Sequence, residues 1–188
     1  MKKVFALIIF ILSILLYADH LPKPKGFETI PLSKTVFKVM EKKGERIVDL
    51  TGKDFIIVSV REEGSDGRFY AVDRDGTVWW SGPVTSGAPE NRSPSGIFPI
   101  IQKKRYHMSR AYPDENGVNN MNYMMMFTRH GHALHEGSVN HMSYGCIHID
   151  PKDVPAIYNW ATYKTKVVIT RHTYMPYARE DLRKIYKP

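Results

Sequence analysis

Phe55-Ile56-Ile57-Val58-Ser59-Val60, then Arg68-Phe69-Tyr70-Ala71-Val72, then Asp73-Arg74-Asp75-Gly76 leading into Thr77-Val78-Trp79-Trp80, is the stretch that decides the fold. Its first two runs are dense in β-branched and aromatic side chains, which suit a pleated, half-buried surface, and the Asp/Gly cluster supplies the turn before a third run. Together they predict a β-meander. Further short strands are expected at Gly96 to Gln102, Tyr123 to Thr128, Gly131 to His135 and Lys166 to Thr170, mostly bounded by Gly, Pro, Asn or Asp. Helix is sparse. One is expected to begin between Asp150 and Asp153 and to run to about Tyr163. Pro155 argues for the later start, with Asp153 as the cap, because proline is tolerated only in a first turn. A second, basic-faced helix is expected over Ala178 to Tyr186. The fold class is therefore mostly β, of the α+β kind, with a few short helices.

Outside that region the chain carries other information. Lys2-Lys3 precede an apolar run from Val4 to Tyr17, and the sequence turns polar at Asp19, His20, Lys23 and Lys25. Basic, then apolar, then polar is the layout of a secretory signal, and the run is shorter than the ~20 residues that span a bilayer as a helix. Residues 1–18 are accordingly expected to be a signal peptide cut after Ala18, or an uncleaved N-terminal anchor, since Leu16 fits the small-residue cleavage pattern poorly. Residues 19–50 read as a linker, rich in Pro and Gly early on, leading to a short helix around Leu32 to Lys43. Residues 51–172 form the expected main domain and 173–188 a C-terminal helical tail. The remaining length suits one domain with its own core. At 43% apolar and 24% charged residues the composition is that of a globular protein. The net charge of +8 suits an acidic partner. Lys and Arg are spread without a dense stripe, however, and an exported protein meets anionic wall polymers first, so nucleic acid is not the expected partner. The oligomeric state is not readable.

The chemistry concentrates between His130 and Ile149, where five histidines and the single cysteine of the chain fall together. A lone cysteine in an exported protein cannot close an internal disulfide. It is a buried small hydrophobe, a partner for another molecule, or a reactive thiol. In Ser143-Tyr144-Gly145-Cys146-Ile147-His148-Ile149 a glycine directly precedes the thiol, which lets backbone approach a reacting group and leaves N–H groups to face a developing oxyanion. A thiol is mostly protonated at neutral pH and needs a base beside it. His135 is the first candidate, because it ends the apolar pair Ala133-Leu134 and precedes Glu136-Gly137, where a strand can deliver a side chain and turn away. On these residues alone a reactive and a structural thiol stay equally open.

Ala133-Leu134-His135-Glu136-Gly137 followed by Ser143-x-Gly145-Cys146-Ile147 resembles the active-site signature of the L,D-transpeptidase catalytic domain (YkuD-like). Ser93-Pro94-Ser95-Gly96-Ile97-Phe98-Pro99-Ile100, preceded by Val84-Thr85-Ser86-Gly87, looks like the family's Thr-Pro-x-Gly-x-Phe element and the strand end before it. The resembling stretch runs from about Phe55 to Thr170. The resemblance implies a β-sandwich-like catalytic domain with a few short helices. Its cysteine attacks a peptide carbonyl of a peptidoglycan stem peptide and passes the acyl group to an amine, forming a crosslink, or to water, trimming the stem. Carried over by position, Cys146 is the nucleophile and His135 the base. Tyr144 and Gly145 give backbone N–H groups to the oxyanion, and Ser143 holds the turn. The implied setting is the periplasm or cell envelope, the implied partners are stem peptides and an acceptor amine, and no metal or organic cofactor is implied.

Three departures from the family pattern stand out. Tyr144 occupies the place of a second histidine. His148 replaces the usual Arg or Asn and, two residues after Cys146 on an extended segment, would face the same side toward substrate. The loop between His135 and Ser143 is short, which could open the acceptor side to water. Two rival readings remain. His130, His132, His135, His141, Cys146 and His148 could supply zinc ligands, although the spacing matches no common zinc signature, and His130 and His132 would share one strand face with His135 on the other. A non-catalytic wall-binding module that has kept the fold is the second. His107, His130, His141 and His172 read as exposed or hydrogen-bonded histidines, Met124-Met125-Met126 as core packing, and Trp79-Trp80 as one core and one surface residue.

Overall fold

The computed structural model describes residues 28–60, 67–109 and 120–186; the expected signal or anchor at 1–18 lies outside the described residues. In chain order the elements are β1 (Glu28–Pro31), β2 (Val36–Glu41), β3 (Gly44–Asp49), β4 (Phe55–Val60), β5 (Gly67–Val72), β6 (Val78–Thr85), β7 (Gly96–Pro99), β8 (Gln102–Lys104), β9 (Met124–Met126), β10 (Ala133–Glu136), β11 (Ile147–Ile149), α1 (Val154–Trp160), β12 (Lys166–Thr170) and α2 (Met175–Ile185). The mostly β, α+β expectation is borne out. β4, β5 and β6 pair antiparallel as the predicted meander, with a register shift at Ala71/Val72. β12 adds to β4 in parallel.

Nine strands form one curled sheet in the order β7-β12-β4-β5-β6-β11-β10-β9-β8. Alternation along β4 explains why every one of its residues is buried. Ile56, Val58 and Val60 enter a core with Leu134, Ile147 and Ile149 from the far half of the sheet, plugged by Val154 and Ile157 of α1. Phe55 and Ile57 enter a second core on the opposite face, with Phe37, Leu50, Tyr174 and Leu182. Burying a Phe, Ile or Leu side chain is worth about 1.5–3 kcal/mol each, so covering both faces is what holds so short a strand in place.

The second core corrects the reading of 19–50. The helix expected at Leu32 to Lys43 is absent: β1, β2 and β3 form a three-stranded antiparallel sheet. Along β2 the burial alternates, with Phe37 and Val39 inward, and Gly44 closes the hairpin at φ +133°, a value glycine reaches without a Cβ penalty. The small sheet is docked rather than linked. Phe37 packs edge-on against Phe55 at 5.8 Å, Lys34 pairs with Asp181 at 2.6 Å, and Glu28 meets His172 at 2.5 Å.

Other differences are local. The strand expected over Gly96 to Gln102 is two strands, broken at Ile100 and Ile101, where the Ile101 N–H donates to the Met126 carbonyl at 2.8 Å. α1 ends at Trp160, short of Tyr163. Asp153 does sit at its N-cap position, but its carboxylate makes no capping bond; the Trp80 indole N–H donates to it at 3.1 Å instead. Trp79 and Trp80 are both half-buried, because Trp79 packs on Trp160 at 5.1 Å while Trp80 leans on α1. Met124 and Met125 are core residues as expected.

Candidate active site

β10 and β11 run side by side in parallel, with Leu134 opposite Ile147 and His135 opposite His148. Leu134 and Ile147 point into the core, so their neighbours Ala133, His135, Cys146 and His148 share the other face. Cys146 is one residue before the register and His135 one after it. With strands ~4.8 Å apart and ~3.3 Å of rise per residue, their Cα atoms are about 8 Å apart, within joint reach of a thiol and an imidazole side chain. The thiol packs against the cluster of Met121, Met124 and Ala133, with its S–H turned toward the Gly131 carbonyl at 3.8 Å.

His135 is 6% exposed. Its Nδ1 meets the Glu136 carbonyl at 2.7 Å. A carbonyl can only accept, so Nδ1 carries the proton and Nε2 presents a lone pair. His148 repeats the arrangement with the Ser138 carbonyl at 3.1 Å, and the two rings meet edge to face at 4.8 Å. The contact needs Gly137, where a Cβ would lie 2.6 Å from His148 Cγ. Burial, followed by the neighbouring His148 and His107, brings His135 down to about 4, against the opposing pull of the Glu136 carbonyl. Burial likewise lowers His148 and raises the Cys146 thiol, which the Ala133 N–H partly offsets. At neutral pH the resting pair is thus a protonated thiol and a neutral imidazole.

The turn before the thiol is clamped from a distance. Ser143 Oγ donates to the Cys146 carbonyl at 2.5 Å and accepts the Gly145 N–H at 3.0 Å. The Ser143 backbone pairs with Ser86 at 3.0 Å and with Ala88 at 2.9 Å. Buried Ser93 donates from Oγ to the Gly145 carbonyl at 2.9 Å and accepts the Gly87 N–H at 3.0 Å, while Arg171 holds the Ser93 carbonyl at 2.6 Å. Gly87 is obligatory here: a Cβ would lie 1.9 Å from the Asn91 carbonyl oxygen and 2.8 Å from Gly145 Cα.

The sequence reading and the structure differ at several of these residues. Ser143 does hold the turn. The Gly145 N–H expected at the oxyanion is instead taken by Ser143 Oγ, in a glycine at φ +114°. Tyr144 is 68% exposed beside the thiol. His130 and His132 do not share a strand face, since both fall in the turn before β10, where His132 Nδ1 meets Thr128 Oγ1 at 2.8 Å. Among the described residues no group of three or more His, Cys, Asp or Glu is arranged to hold a metal ion. His172 is hydrogen-bonded, as expected, and His130 and His141 are exposed. Sequence reasoning gave Gly87 and Ser93 no role in the site and offered His132 only as a zinc ligand. The only signal for the first two was their place in the elements resembling Val-Thr-Ser-Gly and Thr-Pro-x-Gly.

A curled β-sheet thus sets a thiol and an imidazole on one face of two parallel strands, with a braced glycine turn at the thiol, the residue types that acyl transfer through sulfur requires. The L,D-transpeptidase catalytic domain family (YkuD) matches residues 53–169, and the chain belongs to that family. Among solved structures it resembles an L,D-transpeptidase from Stackebrandtia nassauensis, at 21% identity and TM-score 0.52 over 63% of this chain and 57% of that one. It also resembles the C442S mutant of the Enterococcus faecium L,D-transpeptidase, at 16% identity and TM-score 0.53 over 79% and 71%. A third similar structure is L,D-transpeptidase 3 from Mycobacterium tuberculosis in complex with a faropenem-derived adduct, at 16% identity and TM-score 0.51 over 73% and 68%. The chain thus spans little more than half the length of the Stackebrandtia protein. Comparison with curated proteins found no match.

Proposed function

We propose that this chain is a peptidoglycan L,D-transpeptidase of the cell envelope, in which Cys146 forms a thioester with a stem tetrapeptide and passes it to an acceptor amine. The observation that carries this is the placement of Cys146 and His135 on one face of the β10/β11 pair, inside the stretch that matches the family. Cys146 Sγ attacks the carbonyl of the scissile peptide bond as its proton moves to His135 Nε2. The S–C bond forms, and the C–N bond breaks with that proton going to the departing D-amino acid. An acceptor amine then attacks the thioester, gives its proton through His135, and the thiol is restored. Backbone amides of the turn at Tyr144 and Cys146 face the oxyanion, and His148 contacts the substrate from the same strand face.

A second reading is supported by the short loop from Glu136 to Met142, which leaves the acceptor side open to water and would make the enzyme an L,D-carboxypeptidase. One experiment separates the readings: mass spectrometry of disaccharide-tetrapeptide incubated with the protein and with its Cys146→Ala variant. A crosslinked product absent from the variant is expected. Loss of the terminal D-amino acid alone would assign trimming, and unchanged substrate with folded protein would assign a non-catalytic wall-binding module.

A further inference from the structure

β11 covers only one end of β6: its pairing reaches Val84 and Thr85 and stops. Beside the uncovered stretch Trp80–Pro83 lies a cavity of about 590 Å³, closed by the segment before α1 and by Tyr186 at the end of α2. It draws on both faces of the sheet, because Ser81 and its neighbours Trp80 and Gly82 alternate along the strand. Ser81 lies four residues, roughly 13 Å, along β6 from Thr85, the partner of His148. The cavity is therefore separate from the candidate active site. Tyr186 also lies outside the residues that match the family.

Two cations reach this cavity. Arg68, half-buried on β5, donates to Ser81 Oγ at 3.3 Å, and that hydroxyl is tied in turn to the Phe69 carbonyl at 2.7 Å. The guanidinium is thus oriented while keeping further N–H donors for a ligand. Lys152 approaches from the segment before α1, its side chain 70% exposed. The one carboxylate of the lining, Asp153, is 4% exposed and accepts the Trp80 indole N–H at 3.1 Å. Its second oxygen packs on Gly82, where a Cβ would lie 2.3 Å from it, and has no hydrogen-bond partner. A buried carboxylate kept with one oxygen unsatisfied holds the indole ring at the cavity wall and leaves one positive charge in excess there. On the other side the Tyr186 hydroxyl donates to the Ser81 carbonyl at 2.6 Å, so its oxygen can only accept from a ligand. The lining therefore asks for an anionic group, a flat apolar face and a hydroxyl on one molecule. A sugar ring bearing an acid group has all three: its C–H face lies on the indole, its acid on Arg68 and Lys152, and a ring hydroxyl on Tyr186. A neutral sugar lacks the charge, and an aromatic acid lacks the hydroxyl. The volume is that of an ordinary small-ligand site, and the net charge of +8 favours anions at long range.

We infer that this cavity is a binding site for an acidic sugar, a pyranose ring carrying a carboxylate or a phosphate. The inference goes beyond the proposed reaction and does not depend on it. Its test is a titration of the nitrogen-labelled full chain, followed by NMR at the Trp80 indole N–H and the Gly82 amide, with glucuronate, glucose-6-phosphate, glucose and benzoate as probes. Both acidic sugars are expected to bind roughly tenfold tighter than glucose, the ratio corresponding to one charge-assisted contact. The tighter of the two assigns the acid as carboxylate or phosphate. Arg68→Gln should bring the ratio close to one. Lys152→Gln, at an exposed position where folding is not at stake, should lower it by roughly two- to threefold. Trp80→Leu should weaken all three sugars together, read at the Gly82 amide. Cys146→Ala should bind them as the parent does. Equal binding of glucose and the acidic sugars, or a preference that survives Arg68→Gln in protein with an unchanged melting curve, overturns the inference. So does benzoate binding as tightly as glucuronate, or loss of binding in Cys146→Ala. None of these measurements needs turnover, so failure of the proposed reaction would leave this site standing.

Discussion

Ser93→Ala removes a side chain that is 2% exposed and touches nothing a substrate would touch, yet it should damage both the fold and the site. The hydroxyl bridges two backbone groups, accepting from the Gly87 N–H at 3.0 Å and donating to the Gly145 carbonyl at 2.9 Å. Alanine leaves both buried and unpaired. An unsatisfied buried donor or acceptor costs about 1–3 kcal/mol, and a water entering the vacated space recovers part of it, so the loss is roughly 2–4 kcal/mol. For a domain of this size each kcal/mol lowers the melting temperature by about 2–4 °C, which places the drop at roughly 5–15 °C. The control is Ser95→Ala two residues on, whose hydroxyl makes one bond, to the Ile169 carbonyl, and which should lose about 1 kcal/mol. Circular-dichroism melts of the two variants test the stability arm. The activity arm is the rate of thioester formation, expected to fall because the Gly145 carbonyl, one residue from the nucleophile, is no longer tied to the Gly87 loop. If Ser93→Ala melts within about two degrees of Ser95→Ala and acylates at the parental rate, the claim that this loop braces the nucleophile turn is refuted.

The remaining predictions concern charge and space around the same sheet. His135 is held at about 4 against an ordinary 6.5, so the unfolded chain binds the extra proton between those values. Stability is full above pH 6.5 and falls as pH drops through 4, by about 3 kcal/mol from this group; urea melts at pH 7 and pH 4.5 should show a smaller loss for His135→Gln than for the parent. Asp153 is buried with Oδ2 lacking a hydrogen-bond partner, and burial raises its carboxyl. Its charge is therefore destabilising at neutral pH, and Asp153→Asn should melt higher at pH 7, with the advantage shrinking as acid protonates the parent's carboxyl. Gly137→Ala would set a Cβ 2.6 Å from His148 Cγ, so it should cost roughly 1–3 kcal/mol in thermal melts and lower kcat/KM by displacing His148 from His135.

The strands that make the large sheet were legible because β-branched runs and Gly/Asp turns coincide there. β12 was placed to the residue at Lys166 and Thr170. The reading failed at β2. Val36, Phe37, Val39 and Met40 also satisfy helical spacing, and the short-range signal that decides against it, β-branched residues running into Lys42-Lys43-Gly44, is outweighed unless the partner surface around Phe55 is known. Cys146 and His135 were legible because both lie in one crowded segment. The brace was not, because Ser93 acts on Gly145, 52 positions away, through a hydrogen bond that no local pattern encodes. Asp153 shows a third kind of failure: the right residue stands at the cap, but tertiary contact with Trp80 captured the side chain that local rules assign to the helix.

The electrostatics of the pair bear on when the proposed reaction can start. A thiolate next to an imidazolium is the usual picture of an activated cysteine, but here burial opposes both charges, raising the thiol and holding His135 near 4. Moving the proton before substrate arrives would place two new charges in a site walled by Met121, Met124 and Ala133, where an uncompensated charge is expensive. In the proposed reaction, a carbonyl carbon lying against sulfur would pass the negative charge to the oxyanion instead, where backbone N–H groups of a turn already fixed by Ser143 and Ser93 would meet it without reorganising, so that proton transfer and attack would be one event. The polar effort in this site goes into fixing the turn, not into ionising the thiol, which is why a serine hydroxyl remote from the substrate carries more weight here than a charged neighbour would.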